Sequence, residues 1–341
     1  MTITAEFGPD DIRMQVEKTG IKGRHLTFID DFTAKELDNI FKTAVMLEPY
    51  WRSRTPMLEG KVLCTQFFQP STRTRFSHET AMIRLGGHVI TESNPMVSSS
   101  AAKGESLYDS LRVTSQYADV IVLRHPDENT VDTIEELGSD SSPVISGGYG
   151  NITHPTQGLL DMYTAYRALG GDFKKMTVMI ATPDLSRARS GQSFGLGLAR
   201  MGAKLIYSGT RGLETPNTIR NKLKEMNADF KEFNNLTIAQ HEQMIADEDI
   251  DLVYLPGCSV KKGDPGRDDF LKKMAEYYFT LEGLQEIKKK TGKTVGLMHS
   301  LPRNEGEFDF AIDTSEHELY FKQIGFSVPL RMSLLANICG I

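Results

Sequence analysis

The chain has 341 residues, with 39 Lys plus Arg against 45 Asp plus Glu and a formal net charge of −6. That length gives room for two domains of ordinary size, each with its own core, and the acidic balance argues against general attraction to nucleic acid or anionic membranes. Three scattered cysteines, Cys64, Cys258 and Cys339, are too few for a disulfide framework or a metal cluster and read as small buried hydrophobes.

The start, MTITAEFGPDD, has no basic region followed by an apolar run, and no stretch approaches eighteen apolar residues. A cytoplasmic, reducing setting is expected. Residues 1–30 read as a lead-in. Asp30 or Asp31 is placed to cap a helix over 34–47, where Leu37, Ile40, Phe41, Ala44 and Val45 share one face. The apolar run 62–68 reads as a buried strand, broken by Pro70. Ser71 or Thr72 then caps a helix running to about residue 85. Three hydroxyls (Ser71, Thr72, Thr74), the open backbone N–H groups and Arg73 converge at that helix start. An anion suits such a place, because the N–H groups and the helix dipole favour negative charge and arginine adds a forked donor. The plainer alternative is an ordinary capped helix with a solvated arginine.

Gly86-Gly87 stops that helix, and a short strand begins at His88. Residues 93–105, rich in Ser with Asn, Pro and Gly, read as a loop. A helix over 106–117, a strand over 119–123, a helix over 130–137 and a strand over 143–146 follow. After a helix over 154–169 a second alternating set begins. Its strands are expected at 177–181, 204–207, 229–233, 251–255 and 294–297, and its helices at 190–201, 215–226 and 238–246. The segment 329–338 reads as a final helix with Pro329 at its first position. Alternating strand and helix argues parallel α/β sheets. We expect two doubly wound domains, 1–152 and 153–325, with 326–341 returning to the first and the active site between them. Ligands of such sheets bind beyond the carboxyl ends of the strands, and polar clusters stand after four of the expected strands: 71–75, 124–126, 184–189 and 299–303. Singly each has a plain reading: a surface arginine for Arg124, a helix cap for His154, a solvated basic turn for 184–189, a turn for 299–303.

Together, in order and spacing, they match a family. FFQPSTRTRFSHETAMIRLGG resembles the carbamoyl phosphate signature of the aspartate and ornithine carbamoyltransferases, as do RHP at 124–126, HPTQGLLDMYT at 154–164 and HSLPR at 299–303. The loop SSSAAKGES at 98–106 resembles the aspartate-type loop that carries a serine and a lysine into a neighbouring subunit's site, and Ser99 and Lys103 match them. The resemblance implies that Ser71, Thr72, Arg73 and Thr74 hold the phosphate, joined by Ser99 and Lys103 of an adjacent chain in a homotrimer with shared sites. It implies that Arg124 and His154 bind the carbamoyl oxygen, and that Gln157 and the carbonyls of Leu301 and Pro302 bind the carbamoyl nitrogen. Arg73, Arg124, His154 and Lys103 are the catalytic set, and Arg189, Lys262 and Arg303 face the second substrate. No cofactor or metal is implied; the partners are carbamoyl phosphate and an amino acid, most simply aspartate.

The acceptor half departs from the aspartate pattern. Aspartate enzymes have an Arg-x-Gln set where this chain has Gly257 and Ser259, an arginine where it has Lys262, and a glutamate where it has Gln69. Ser300 fits neither the proline of the aspartate enzymes nor the cysteine of the ornithine enzymes. Lysine replaces a bidentate guanidinium only as a point charge. Either Lys261, Lys262 or Arg267 substitutes from the loop 256–267, or the acceptor is an amine other than aspartate. A non-catalytic relative that binds carbamoyl phosphate is a third reading. A nicotinamide dehydrogenase is set aside, since no GxGxxG turn follows an expected strand.

Overall fold

The computed structural model describes residues 7–257 and 263–341. The chain divides into two compact units, Met1–Thr156 with Phe326–Ile341, and Gln157–Gly325.

The first unit opens with α1 (Pro9–Thr19), inside the segment expected to be a lead-in. Pro9 stands at the first helical position, the Asp11 carboxylate accepts the Gly8 N–H at 2.9 Å, and Gly20 closes the helix in the left-handed conformation. Helix α2 (Ala34–Leu47) is capped by Thr33 rather than by Asp30 or Asp31. Thr33 and Glu36 exchange bonds reciprocally, Thr33 N–H to Glu36 Oε2 at 2.7 Å and Glu36 N–H to Thr33 Oγ1 at 3.2 Å. Asp31 instead accepts from Thr27 and Phe28, each at 2.9 Å.

The sheet of this unit is built from β1 (Val62–Phe67), α3 (Thr72–Arg84), β2 (His88–Glu92), α4 (Pro95–Ser98), α5 (Leu107–Thr114), β3 (Val120–His125), α6 (Thr130–Leu137) and β4 (Val144–Tyr149). All pairings are parallel, in the order β2-β1-β3-β4. Its core packs Cys64, Leu111, Ile121, Leu123, Ile134 and Val144 between sheet and helices, as expected for a parallel sheet covered on its faces. The segment expected as a loop holds the single turn α4 and a 3-10 turn, Ser100–Lys103.

Helix α7 (Pro155–Ala168) leads into the second unit. There follow β5 (Thr177–Ala181), α8 (Arg189–Met201), β6 (Lys204–Gly209), α9 (Asn217–Glu225), β7 (Phe230–Asn234), α10 (Ile238–Asp247), β8 (Leu252–Leu255), α11 (Arg267–Met274), α12 (Leu281–Thr291) and β9 (Gly296–His299). Its parallel sheet runs β7-β6-β5-β8-β9. Helices α11 and α12 lie where no helix is expected from the sequence; Thr280 caps α12 by accepting the Gly283 N–H at 3.0 Å, and Gly292 ends it.

Two corrections concern chain ends of elements. Arg124, His125 and His299 lie within the last turns of strand pairing rather than after it, because register and not apolarity sets a strand's end: Arg124 pairs with Phe67 and His299 with Leu255. The final helix α13 is Tyr320–Cys339, with Pro329 inside it rather than at its start. Pro329 lacks the N–H that would reach the Gly325 carbonyl, and α13 passes from the second unit to the first at Gly325–Phe326.

In each sheet the strand order reverses once, and the crevice that opens there is where ligands of such folds bind. The reversal falls between β1 and β3 in the first unit and between β5 and β8 in the second.

Candidate functional site

The reversal in the first unit lies between the strands that lead to Ser71–Thr74 and to Arg124. Beyond β1, Ser71 takes an extended conformation (φ −159°) as the N-cap of α3, yet its side chain makes no capping bond. The first N–H groups of α3 have no helical partner by construction, so the amides at this helix start are open to a ligand. Thr72 and Arg73 are exposed and Thr74 is buried. Further along α3, His78 is fully buried and donates from Nδ1 to the Thr74 carbonyl at 2.8 Å. Burial and the nearby Arg331 charge hold its pKa well below the usual histidine range, so it is neutral. Arg75 pairs with Glu79 at 3.7 Å, and Glu79 also accepts from Thr65 at 2.9 Å; these two are structural.

Arg124 stands beside the end of β1: Phe67 is its register partner, and the Phe68 N–H donates to its carbonyl at 2.9 Å. Its Nη1 donates to the Gly147 carbonyl at 3.0 Å. Gly148, at φ +110°, is the contact point of the set. A Cβ there would come 3.3 Å from Arg124 Nη1 and 3.4 Å from His154 Cδ2. The glycine therefore lets Arg124 and His154 approach the same stretch of β4. His154 is buried, with Nδ1 3.5 Å from the Thr156 hydroxyl, which donates to the Ser146 carbonyl at 3.0 Å. His125 plays a different part. Its Nδ1 accepts from the Asp127 N–H at 3.2 Å and meets the Thr130 hydroxyl at 2.9 Å, and burial lowers its pKa. Ser99 and Lys103 lie on the exposed connection from β2 to α5. Ser99 donates to the Pro95 carbonyl at 2.8 Å, and Lys103 is exposed.

The second unit carries the other expected residues. Gln157 donates to Asp161 at 2.8 Å, one helical turn on. Asp161 is fully buried and accepts from Gln323 as well. The Tyr254 hydroxyl faces Asp161, Ser190 and Ser300, and burial together with the Asp161 charge pushes its pKa well above the usual phenol value. Ser300 Oγ in turn accepts the Gly257 N–H at 2.9 Å. Gln157, Asp161 and Gln323 are thus joined by hydrogen bonds, and Ser300 and Gly257 form a separate bonded pair beside the loop after β8.

The turn 299–303 is fastened at both ends. His299 Nδ1 accepts the Leu301 N–H at 2.9 Å, so its Nε2 donates to Glu307, 3.2 Å away; the two side chains are 1% and 2% exposed. Burial alone would raise the Glu307 pKa, but bonds from His299 and Asn304 hold it below the ordinary glutamate range. Leu301 adopts φ +53°, a conformation that L residues rarely take and that persists only where neighbours determine it. Arg303, expected to face the second substrate, is held through both guanidinium arms by Asp313, with Tyr320 also donating to Asp313 at 2.6 Å. Its guanidinium lies 3.9 Å from the Phe310 ring centre.

Arg189 is the first residue of α8, half-buried, with its pKa lowered by burial. Close by in the chain, Thr182, Asp184, Arg187 and Ala188 join Pro256, Gly257 and Phe270 around a shallow, open recess. This recess lies at the carboxyl ends of β5 and β8, the reversal of the second sheet. Ser259, Lys261 and Lys262 lie outside the described residues. Among the described residues no group of three His, Cys, Asp or Glu could hold a metal, and no helix is long and apolar enough to cross a membrane. Asp161, Glu307, Asp313 and Gln323 escaped the sequence reading: each acts on a residue distant in the chain or a turn away, with no motif to announce it.

Two family models match the chain: the carbamoyl-P binding domain of aspartate/ornithine carbamoyltransferase over residues 24–167, and the Asp/Orn binding domain over 174–338. A ureidoglycine carbamoyltransferase of Rubrobacter xylanophilus is 46% identical over 330 residues, 96% of each chain. The aspartate carbamoyltransferase catalytic subunit of Methanothrix thermoacetophila is 36% identical over 93% of this chain and 99% of its own. Among solved structures, the catalytic subunit of M. jannaschii aspartate transcarbamoylase matches with a TM-score of 0.78 at 35% identity, over 93% of this chain and 99% of that one.

Proposed function

The chain belongs to the aspartate/ornithine carbamoyltransferase family, and on that premise we propose that it transfers the carbamoyl group of carbamoyl phosphate to the amine of ureidoglycine. The acceptor amine attacks the carbamoyl carbon, the C–O bond to phosphate breaks, and the departing phosphate takes the amine's proton. The product is a diureidoacetate. Ser71, Thr72, Arg73 and Thr74 hold the phosphate at the start of α3. Arg124 and His154 stabilise the charge that develops on the carbamoyl oxygen. Gln157, positioned by Asp161, and the carbonyls of Leu301 and Pro302 take the carbamoyl N–H groups. Arg189 receives the acceptor's carboxylate. Arg303 acts as the anchor of its turn, through Asp313.

The acceptor reading is carried by one observation: no arginine stands at position 257, and the described recess beside it offers Asp184 and Arg187 together. Ureidoglycine has one carboxylate, and a neutral ureido group where aspartate has its second. A ureido group both donates and accepts, which suits that mixed lining. The closer likeness to a protein named for ureidoglycine, 46% against 36% identity, supports the same reading. Aspartate is the second reading, favoured by the Ser99 and Lys103 loop and by relatives named for aspartate. Phosphate release with ureidoglycine, aspartate and ornithine separates them. We expect kcat/KM for ureidoglycine to exceed that for aspartate by about 100-fold or more; the reverse order would favour aspartate.

We also propose a homotrimer in which Ser99 and Lys103 serve a neighbouring copy's site. An exposed apolar set on the first unit, Phe76, Ile83, Ile90, Met96 and Val97, supports an interface there. Mixed assemblies of Lys103→Ala and Arg73→Ala chains, each nearly inactive alone, should regain activity. Confirmed mixed assemblies that stay inactive would place the site within one chain.

A further inference from the structure

The structure assigns Gly257 and Ser300 to a single specificity element; its chemistry rests on the acceptor reading above, its geometry does not. The two residues follow β8 and β9, neighbouring strands paired through Leu255 and His299. Ser300 Oγ accepts the Gly257 N–H at 2.9 Å. The same oxygen lies 3.0 Å from the position a Cβ on residue 257 would take, and His299 Cε1 lies 3.4 Å from it. Any side chain at 257 therefore requires the hydroxyl to give way by a few tenths of an ångström. Little allows it to. The hydroxyl bonds the Gly257 amide. Its residue lies between His299, fixed by Glu307, and Arg303, fixed by Asp313.

Ser300 thus does two things at once. It satisfies the amide at 257, and it keeps that position without a side chain. A proline at 300 would do neither, having no hydroxyl to accept the amide or to obstruct a Cβ. Serine at 300 and a long cationic side chain at 257 are consequently opposed choices, and with Ser300 in place position 257 contributes no charge to the recess it borders. The acceptor group that meets this element is uncharged and hydrogen-bonding, an amide or ureido group rather than a carboxylate.

A double-substitution cycle tests the coupling without reference to any acceptor. Gly257→Ala in the native background should lower Tm by about 2–4 °C, and by less than about 1 °C in the Ser300→Ala background. Equal falls in both backgrounds would overturn the coupling. The second readout is the ratio of kcat/KM for aspartate to that for ureidoglycine. Gly257→Arg with Ser300→Pro should move it at least about tenfold toward aspartate, further than either single change multiplied together. An unmoved ratio overturns the role in selectivity. A native enzyme that prefers aspartate, with the Tm coupling intact, supports the geometry and overturns the acceptor reading alone.

Discussion

Replacing Arg124 by alanine is expected to lower kcat by about 10²–10³-fold, or ~2.7–4 kcal/mol of transition-state stabilisation, the usual scale for losing one fixed donor at a developing oxyanion. The arginine leaves the sheet at the β1–β3 reversal, with its carbonyl accepting from Phe68 and its Nη1 tied to Gly147 at 3.0 Å. In the proposed reaction a cation so fixed is already oriented when charge builds on the carbamoyl oxygen, and needs no reorganisation at that moment. KM for carbamoyl phosphate should change much less than kcat, because the phosphate is assigned to the start of α3. Arg124→Lys keeps the charge but not the fork, and should recover part of the loss. Steady-state kinetics with a thermal melt to confirm folding decide the matter. An Arg124→Ala enzyme within tenfold of the native rate would remove Arg124 from the oxyanion.

Gly148→Ala is expected to be nearly as damaging although it adds one methyl group. The residue sits at φ +110°, and its Cβ would enter between Arg124 Nη1 and His154 Cδ2 at 3.3 and 3.4 Å. The backbone strain alone is of order 1–3 kcal/mol, so Tm should fall by several degrees. Displacing both side chains by a fraction of an ångström should cost about tenfold to a hundredfold in rate. Gly60→Ala supplies the control. That glycine also has positive φ, +80°, but nothing lies within 4 Å of its would-be Cβ. It should share the loss in Tm and keep the activity. Equal activity in both variants would mean that the approach of Arg124 and His154 to Gly148 has no bearing on turnover.

The α/β class and the alternation of strands and helices were legible in the sequence because parallel strands are near-continuous apolar runs and α helices carry one-sided stripes. Where the reading missed, the signals were local or distant rather than periodic. Helix α1 has a start marked by Pro9 and an end marked by Gly20, but between them only Ile12, Val16 and Thr19 are buried, too thin a stripe to notice. Pro329 has the signature of a helix start, and nothing in its neighbours says that the helix begins nine residues earlier. The strand order could not be read either, and it is what brings the end of β1 beside Arg124 and the end of β5 beside Pro256.

The candidate site divides in the same way. STRTR, RHP, HPTQ and HSLPR are contiguous and so stand out as motifs in the sequence. Asp161, Glu307 and Asp313 each reach their partners across a turn or a loop, and the clasp of Arg303 by Asp313 has no motif that announces it. Gly257 and Ser300 were visible as departures from the aspartate pattern, 43 residues apart in sequence; only the 2.9 Å bond between them makes them one feature.

The most direct measurement follows the carbon. Carbamoyl phosphate labelled with ¹³C at the carbonyl, enzyme, and an equimolar mixture of ureidoglycine and aspartate are combined, and the labelled product is identified by NMR and mass. The proposed reaction predicts the label in a diureidoacetate, with carbamoyl-aspartate at no more than about one part in a hundred. Label predominantly in carbamoyl-aspartate would contradict it.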